Sequence, residues 1–247
     1  MRPPILAASI LPHGWRDFLA PSGAVGIGAD LATTTKAKSN PSAIAVVQQV
    51  GADFIVRLVI RFKTSDEDVL PLLLRKIIAE LPAGVRVRKI CIDATNERFF
   101  ASAVKKQLAA LAVVEPIVSS ENAPVKGRDG ELEKYETMSF KSYLGNLLIN
   151  TLEDQHLLLP RAEWMRDDLR AVKRDRGGFA ADVDADGNHA DCFDAIKLAL
   201  YALAGAGQGP AMSLPVQVGT FNTGHGDRPG VRGAIGRAIN AVVKRLC

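Results

Sequence analysis

Three aspartates stand where a purely structural chain seldom puts an acid. Asp30 ends the apolar run Ala24-Val25-Gly26-Ile27-Gly28-Ala29, Asp93 ends Ile90-Cys91-Ile92, and Asp191 opens the apolar stretch that runs on to Ala204. Asp has poor strand propensity, and burying it without a partner is costly. Taken singly, each has an ordinary reading. Asp30 and Asp93 can be turn residues, and Asp191 a first-turn acid favoured by the helix dipole. Taken jointly, adjacent strand ends and a helix start can bring distant acids into one cleft. Crowded carboxylates repel unless cations neutralise them, and hard oxygen ligands of this kind suit Mg2+ or Mn2+. Two such ions bridged by a shared carboxylate serve in-line displacement at phosphorus, one activating a water and the other stabilising the leaving oxygen. Asp194, one helical turn after Asp191, is a candidate auxiliary ligand. His189 flanks the same site, either as a polar neighbour or to orient a phosphate or water.

The elements that must position these acids follow from periodicity. Residues 24–31 read as a first strand, and residues 42–50 and 53–62, rich in β-branched types, as a hairpin about Gly51-Ala52. The period then changes. Ser65-Asp66-Glu67-Asp68 supplies first-turn acids for a helix through Glu80, stopped by Pro82 and Gly84. A strand over 85–93, a helix over 97–111 and a strand over 112–118 come next. The remainder reads as helical: 137–153, then an extended link over 157–160, a charged helix over 162–173, an acidic loop over 184–188 and a last helix over 191–204. Three antiparallel strands followed by helix, strand, helix, strand make an α/β chain with a mixed five-stranded sheet and parallel crossovers.

Composition bounds what this chain can be. Its 247 residues are 47% hydrophobic, 23% charged and 6% aromatic, which excludes a disordered chain, a coiled coil and a collagen-like repeat. No apolar run reaches the roughly 18 residues that a membrane span needs, so no membrane partner is expected. Three cysteines without CxxC or Cys/His spacing argue against a disulfide framework and a structural zinc site, and fit a reduced, intracellular protein.

Charge is unevenly placed. From Gly205 onward five bases face a single acid, Asp227, so the net +4 of the chain resides there and residues 1–204 are neutral. Residues 205–230 read as a glycine-rich linker and 231–246 as a short basic helix. The sequence thus divides into an N-terminal extension over 1–23, a main domain over 24–204 and the linker with its basic helix over 205–247. Nucleic-acid contacts on the neutral part must come from local clusters. Arg170, Lys173 and Arg174, with Arg176, form one run toward Asp191; Lys126 and Arg128, extended by Lys134 and Lys141, form another that acids interrupt.

The order of strands, with acids on the first, on the fourth and on a late helix, resembles the ribonuclease-H-like fold. Gly28-Ala29-Asp30-Leu31-Ala32 followed by Pro41-Ser42-Ala43-Ile44-Ala45-Val46-Val47 resembles the first motif of phage large-terminase nuclease domains. Ile92-Asp93-Ala94-Thr95 resembles the second, and Asn188-His189-Ala190-Asp191-Cys192-Phe193-Asp194-Ala195-Ile196-Lys197 the third. Residues 166–173 are similar to the same region of Mu-like terminases. The resemblance covers roughly residues 24–204 and implies a metal-dependent endonuclease acting on double-stranded DNA during packaging in the host cytoplasm. Carried over residue by residue, it implies Asp30, Asp93 and Asp191 as catalytic ligands of two Mg2+ or Mn2+ ions, with Asp194 as an auxiliary.

The pattern departs from large terminases in one respect: no GxxxxGK[ST] loop occurs, so cutting without ATP hydrolysis is expected. The portal, a small terminase subunit or a separate ATPase subunit would then be partners of the basic tail. Two other readings use the same fold: a non-catalytic packaging adaptor or DNA-binding module, and a nuclease of the resolvase or transposase kind.

Overall fold

The computed structural model describes residues 7, 9–32, 41–123, 138–175, 178–181 and 190–204. Its centre is a six-stranded sheet in the order β5-β4-β1-β2-β3-β6. The strands are β1 (Ser22–Asp30), β2 (Ser42–Val50), β3 (Asp53–Phe62), β4 (Gly84–Asp93), β5 (Val114–Ile117) and β6 (Leu157–Leu158). β1, β2 and β3 form the antiparallel meander that the hairpin at Gly51 requires, while β4 runs parallel to β1 and β5 parallel to β4. The five strands expected from the sequence are all present. The sixth is the segment read as an extended link: Leu157 and Leu158 pair in parallel with Phe54 and Ile55.

Two apolar layers enclose the sheet because strand alternation sends successive side chains to opposite faces. One face carries Ile27, Ile44, Val46, Ile60, Ile90 and Ile92 and is covered by α1 (Val69–Glu80) and α2 (Arg98–Leu108). The N-terminal residues Leu11 and Trp15 join this layer, and Trp15 Nε1 donates to Glu80 Oε2. Gln48, fully buried in β2, fixes the same segment through Ala20 N–H at 2.8 Å and the Ala20 and Ser22 carbonyls at 3.0 and 3.2 Å.

The other face carries Ala45, Val47, Val56 and Cys91 and is covered by α3 (Phe140–Glu153), α4 (Glu163–Ala171) and α5 (Asp191–Ala204). Ser139 sets the start of α3 by accepting the Ser142 N–H at 3.3 Å, which is why this helix begins later than periodicity suggests. α4 is shorter than the helix expected over 162–173. The chain leaves helical geometry at Val172 and forms a two-stranded hairpin, β7 (Val172–Asp175) with β8 (Gly178–Ala181). The side chain of Phe179 in β8 supplies the reason, packing its ring 5.7 Å from that of Phe193 on α5.

Helix α5 lies directly against β1, and two glycines set that distance. A Cβ on Gly26 would stand 2.2 Å from the Ala199 carbonyl oxygen, and one on Gly28 2.0 Å from that of Ala195. Gly28 thus faces the early part of α5 and Gly26 the later part. The helix therefore runs antiparallel to β1 and delivers its N-terminus to the C-terminal end of the strand. Gly26-Ile27-Gly28 serves close helix–strand packing.

Candidate active site

Asp30 shares the parity of Gly26 and Gly28, so the pleat turns it toward α5. Ala29 pairs with Ile92 in the parallel β1–β4 register, which sets Asp30 and Asp93 at neighbouring strand ends. Asp93 shares the parity of Cys91, which belongs to the α5 layer. Its carboxylate is held on both oxygens: Oδ1 accepts the Thr95 N–H at 2.8 Å and Oδ2 the Ser119 hydroxyl at 3.3 Å. Thr95 Oγ1 in turn accepts the Ser119 N–H at 2.9 Å, closing a small polar ring around the second acid.

Asp191 and Asp194 occupy the first turn of α5, where the helix dipole favours negative charge, and Asp191 is wholly buried. The electrostatics tie the four acids together. Burial, then the charges of Asp194 and Asp93, hold the Asp30 carboxyl well above the usual carboxylate range; Asp191 adds to this and Lys197 opposes it. Two strand ends and one helix start thus converge. The structure brings Asp30, Asp93, Asp191 and Asp194 into one electrostatic neighbourhood. Among the described residues, no three His, Cys, Asp or Glu side chains form a ready-made ligating cluster.

A cation already sits among these acids. Lys197, one turn beyond Asp194 on α5, is 4% exposed, and its ammonium contacts Asp194 Oδ1. Burial pulls its pKa down, but Asp194, Asp30 and Asp93 outweigh that and raise it, so the ammonium stays charged. Its Nζ also lies 5.6 Å from the centroid of the Phe193 ring.

Asp168 on α4 fixes where α5 begins. Its Oδ2 accepts the backbone N–H groups of Cys192 at 3.1 Å and Phe193 at 3.3 Å, a helix cap supplied from another element. Arg61 Nη1 stands 3.7 Å from Oδ1, and its guanidinium lies 4.6 Å from the centroid of the Trp164 ring. Burial pushes the Asp168 carboxyl up to about 6 against the pull of these backbone donors and of Arg61.

The basic run splits between two elements. Arg170 lies in the last turn of α4, with Nη1 3.9 Å from Asp167 Oδ1, while Lys173 and Arg174 lie exposed on β7. Arg174 Nη2 donates to Asn146 Oδ1 at 2.9 Å, and its guanidinium lies 5.9 Å from the Phe179 ring centroid. Lys126, Arg128, Lys134, Arg176, His189 and the linker and basic helix over 205–247 lie outside the described residues.

Sequence reasoning missed Lys197, Asp168 and the Thr95–Ser119 support of Asp93. For Lys197 a signal was present: it is the only cation in Asp191–Ala204, and it follows Asp194 at the i,i+3 spacing that joins residues on one helix face. Asp168 carried no such mark among its charged neighbours.

The order and directions of these strands, with the helices that cover them, make the ribonuclease-H-like fold that a solved terminase nuclease domain shares. The solved structures that resemble it include the nuclease domain of the large terminase subunit of bacterial virus Sf6, solved with manganese and β-thujaplicinol. That match has a TM-score of 0.52 at 10% identity and covers 81% of this chain and 97% of that one. The large terminase nuclease of the thermophilic phage G20c matches with a TM-score of 0.48 at 17% identity, over 74% of this chain and 83% of that one. The human cytomegalovirus terminase nuclease domain matches with a TM-score of 0.47 at 12% identity, over 81% and 93%. No protein-family model and no curated protein matches the chain.

Proposed function

We propose that this protein is a divalent-cation-dependent nuclease that hydrolyses phosphodiester bonds of double-stranded DNA, in the service of phage DNA packaging. One observation carries the reading: Asp30 and Asp93 end neighbouring parallel strands, and Asp191 and Asp194 open the helix whose N-terminus lies at that same end of the sheet. Surface carboxylates disperse. Acids gathered at one end of a sheet braced by an apolar core suit ligation of hard cations.

The donor chemistry fits Mg2+ or Mn2+: four carboxylates, with sulfur and imidazole absent from the described members of the set. Asp30 and Asp93 would hold the ions from the sheet and Asp191 from the helix, with Asp194 as auxiliary. When bound, two ions supply a more acidic water and neutralise charge on the leaving oxygen. The chain's own residues do the positioning. Thr95 and Ser119 fix the rotation of the Asp93 carboxylate, so its oxygens need not reorganise during reaction. Asp168, through the Cys192 and Phe193 N–H groups, holds Asp191 in place at the helix start.

Arg170, Lys173 and Arg174 would grip phosphates beside the cut from α4 and the β7–β8 hairpin, giving salt-sensitive, sequence-tolerant binding. Lys126 and Arg128 would extend that grip, and the basic tail would contact a portal, a small subunit or a separate ATPase subunit. The host cytoplasm is the compartment this role requires. Among the described residues, no helix is long and apolar enough to cross a membrane.

Plasmid nicking tests the reading. Cleavage with Mg2+ or Mn2+, abolished by EDTA and lost in Asp30→Asn and Asp93→Asn, is the expected result. Duplex binding without cleavage at any concentration of either ion would instead establish a docking module on the same fold. Preference for branched over linear duplex would move the protein toward the resolvases.

A further inference from the structure

We propose that Lys197 is a built-in counter-ion: it neutralises the acid pocket when no divalent cation is bound, and it competes with an incoming cation for Asp194. This rests on the reading of the four acids as cation ligands and adds a residue which that reading leaves without a role.

An i,i+3 Lys–Asp pair on a helix is ordinarily an exposed contact of little consequence. This one differs in its surroundings. The Lys197 side chain is 5% exposed and that of Asp194 31%, so the cation is the more deeply buried partner. A buried ammonium persists only where several groups compensate it. Here those groups are the Asp194 carboxylate in direct contact, the Phe193 ring beneath the ammonium, and the charges of Asp30 and Asp93 at the strand ends. The rest of α5 is apolar apart from Asp191 and Asp194, so no helical requirement puts a lysine at this position.

The consequence is a charge exchange. With Lys197 in contact, Asp194 is engaged before any metal arrives, and the four acids share one positive charge. A divalent ion entering beside Asp30 and Asp93 brings two charges and meets repulsion from the ammonium. Lys197 therefore lowers cation affinity while stabilising the empty pocket. Binding tight enough for catalysis then depends on the added charge of the substrate phosphate.

The test compares wild type with Lys197→Met and the charge-retaining Lys197→Arg, by melting in EDTA and by calorimetric Mn2+ titration. Lys197→Met is expected to melt roughly 5 °C or more below wild type in EDTA. It should bind Mn2+ about tenfold more tightly, since one repelling charge is gone. Lys197→Arg should stay near wild type in affinity. Unchanged or weaker Mn2+ binding in Lys197→Met, with wild type still binding, overturns the Lys197 proposal and leaves the nuclease reading intact. Absence of Mn2+ binding in wild type overturns the reading of the acids as ligands, and the competition with it. Should Lys197→Met fail to fold, the wild-type protein carries the test alone. The 15N resonance of the Lys197 ammonium is expected to move between EDTA and saturating Mg2+, and a resonance indifferent to Mg2+ overturns the exchange.

Discussion

Two lysines on the same side of the sheet contact carboxylates, in opposite settings of charge. Lys89 on β4 pairs with Glu115 on the adjoining strand β5, beside the Tyr201 ring whose centroid is 5.3 Å from its Nζ. One cation faces one acid, and the Glu115 side chain is 34% exposed, so water solvates what the lysine does not. Lys197 is more enclosed and sits among acids that outnumber it. The first arrangement is complete as it stands. The second carries surplus negative charge at the end of the sheet, and that surplus is what an added cation would neutralise. Local charge balance, more than the presence of an ion pair, separates the two contacts.

The comparison can be broken most forcefully at the acids. Asp30→Asn is expected to lower Mn2+-dependent nicking on the order of a hundred- to a thousandfold, measured as initial rates on supercoiled plasmid. Lys89→Met should leave that rate within about twofold, because it leaves the surplus untouched.

A second approach uses pH. Asp168 is raised to about 6 in the folded state, so its contribution to stability is fully present below about 4 and is lost as pH rises through about 6. Asp168→Asn keeps an oxygen to accept the Cys192 and Phe193 N–H groups but removes the titration. Urea denaturation of both proteins at pH 4 and pH 7 should show wild type gaining on the variant toward acid. The gain is on the order of 3 kcal/mol at most, from a shift of about two units. A constant difference between the two pH values would show that folding does not raise the Asp168 carboxyl.

The position of α5 offers a third. Gly28→Ala puts a methyl into space held by the Ala195 carbonyl, so strand and helix must separate. A loss of about 1–3 kcal/mol by urea denaturation, with weaker Mn2+ binding, is expected. Loss of stability with unchanged Mn2+ affinity would mean that the acids tolerate displacement of the helix. The smallest effect belongs to Lys89→Met, about 1 kcal/mol, since its partner is already in reach of solvent.

How much of this was legible follows from what each residue's neighbours in sequence reveal. Asp30 and Asp93 stood out because an acid interrupts an apolar strand, and the crossover rule placed those strands side by side. The α4-to-β7 change at Val172 was hidden: Arg170 to Arg174 is charged in a way that suits either helix or hairpin, and only Phe179 against Phe193 decides. β6 escaped notice since two residues carry no alternation to read. Gly26 and Gly28 carry no mark of their own within the first strand, and their purpose appears only once a helix from far along the chain packs against it. Asp168 was likewise invisible as a cap, because the helix it caps lies over 20 residues away.

The two margins of the sheet bear on whether one copy of the chain can pair with another. The carbonyls of Val113 and Ile117 accept from Ile90 and Ala94, so alternate positions of β5 turn inward and Pro116 turns out. Proline has no N–H to offer a passing strand, and on the far margin β6 offers only two residues. Among the described residues, neither border presents a long row of unpaired N–H groups on which a second molecule could continue the ladder.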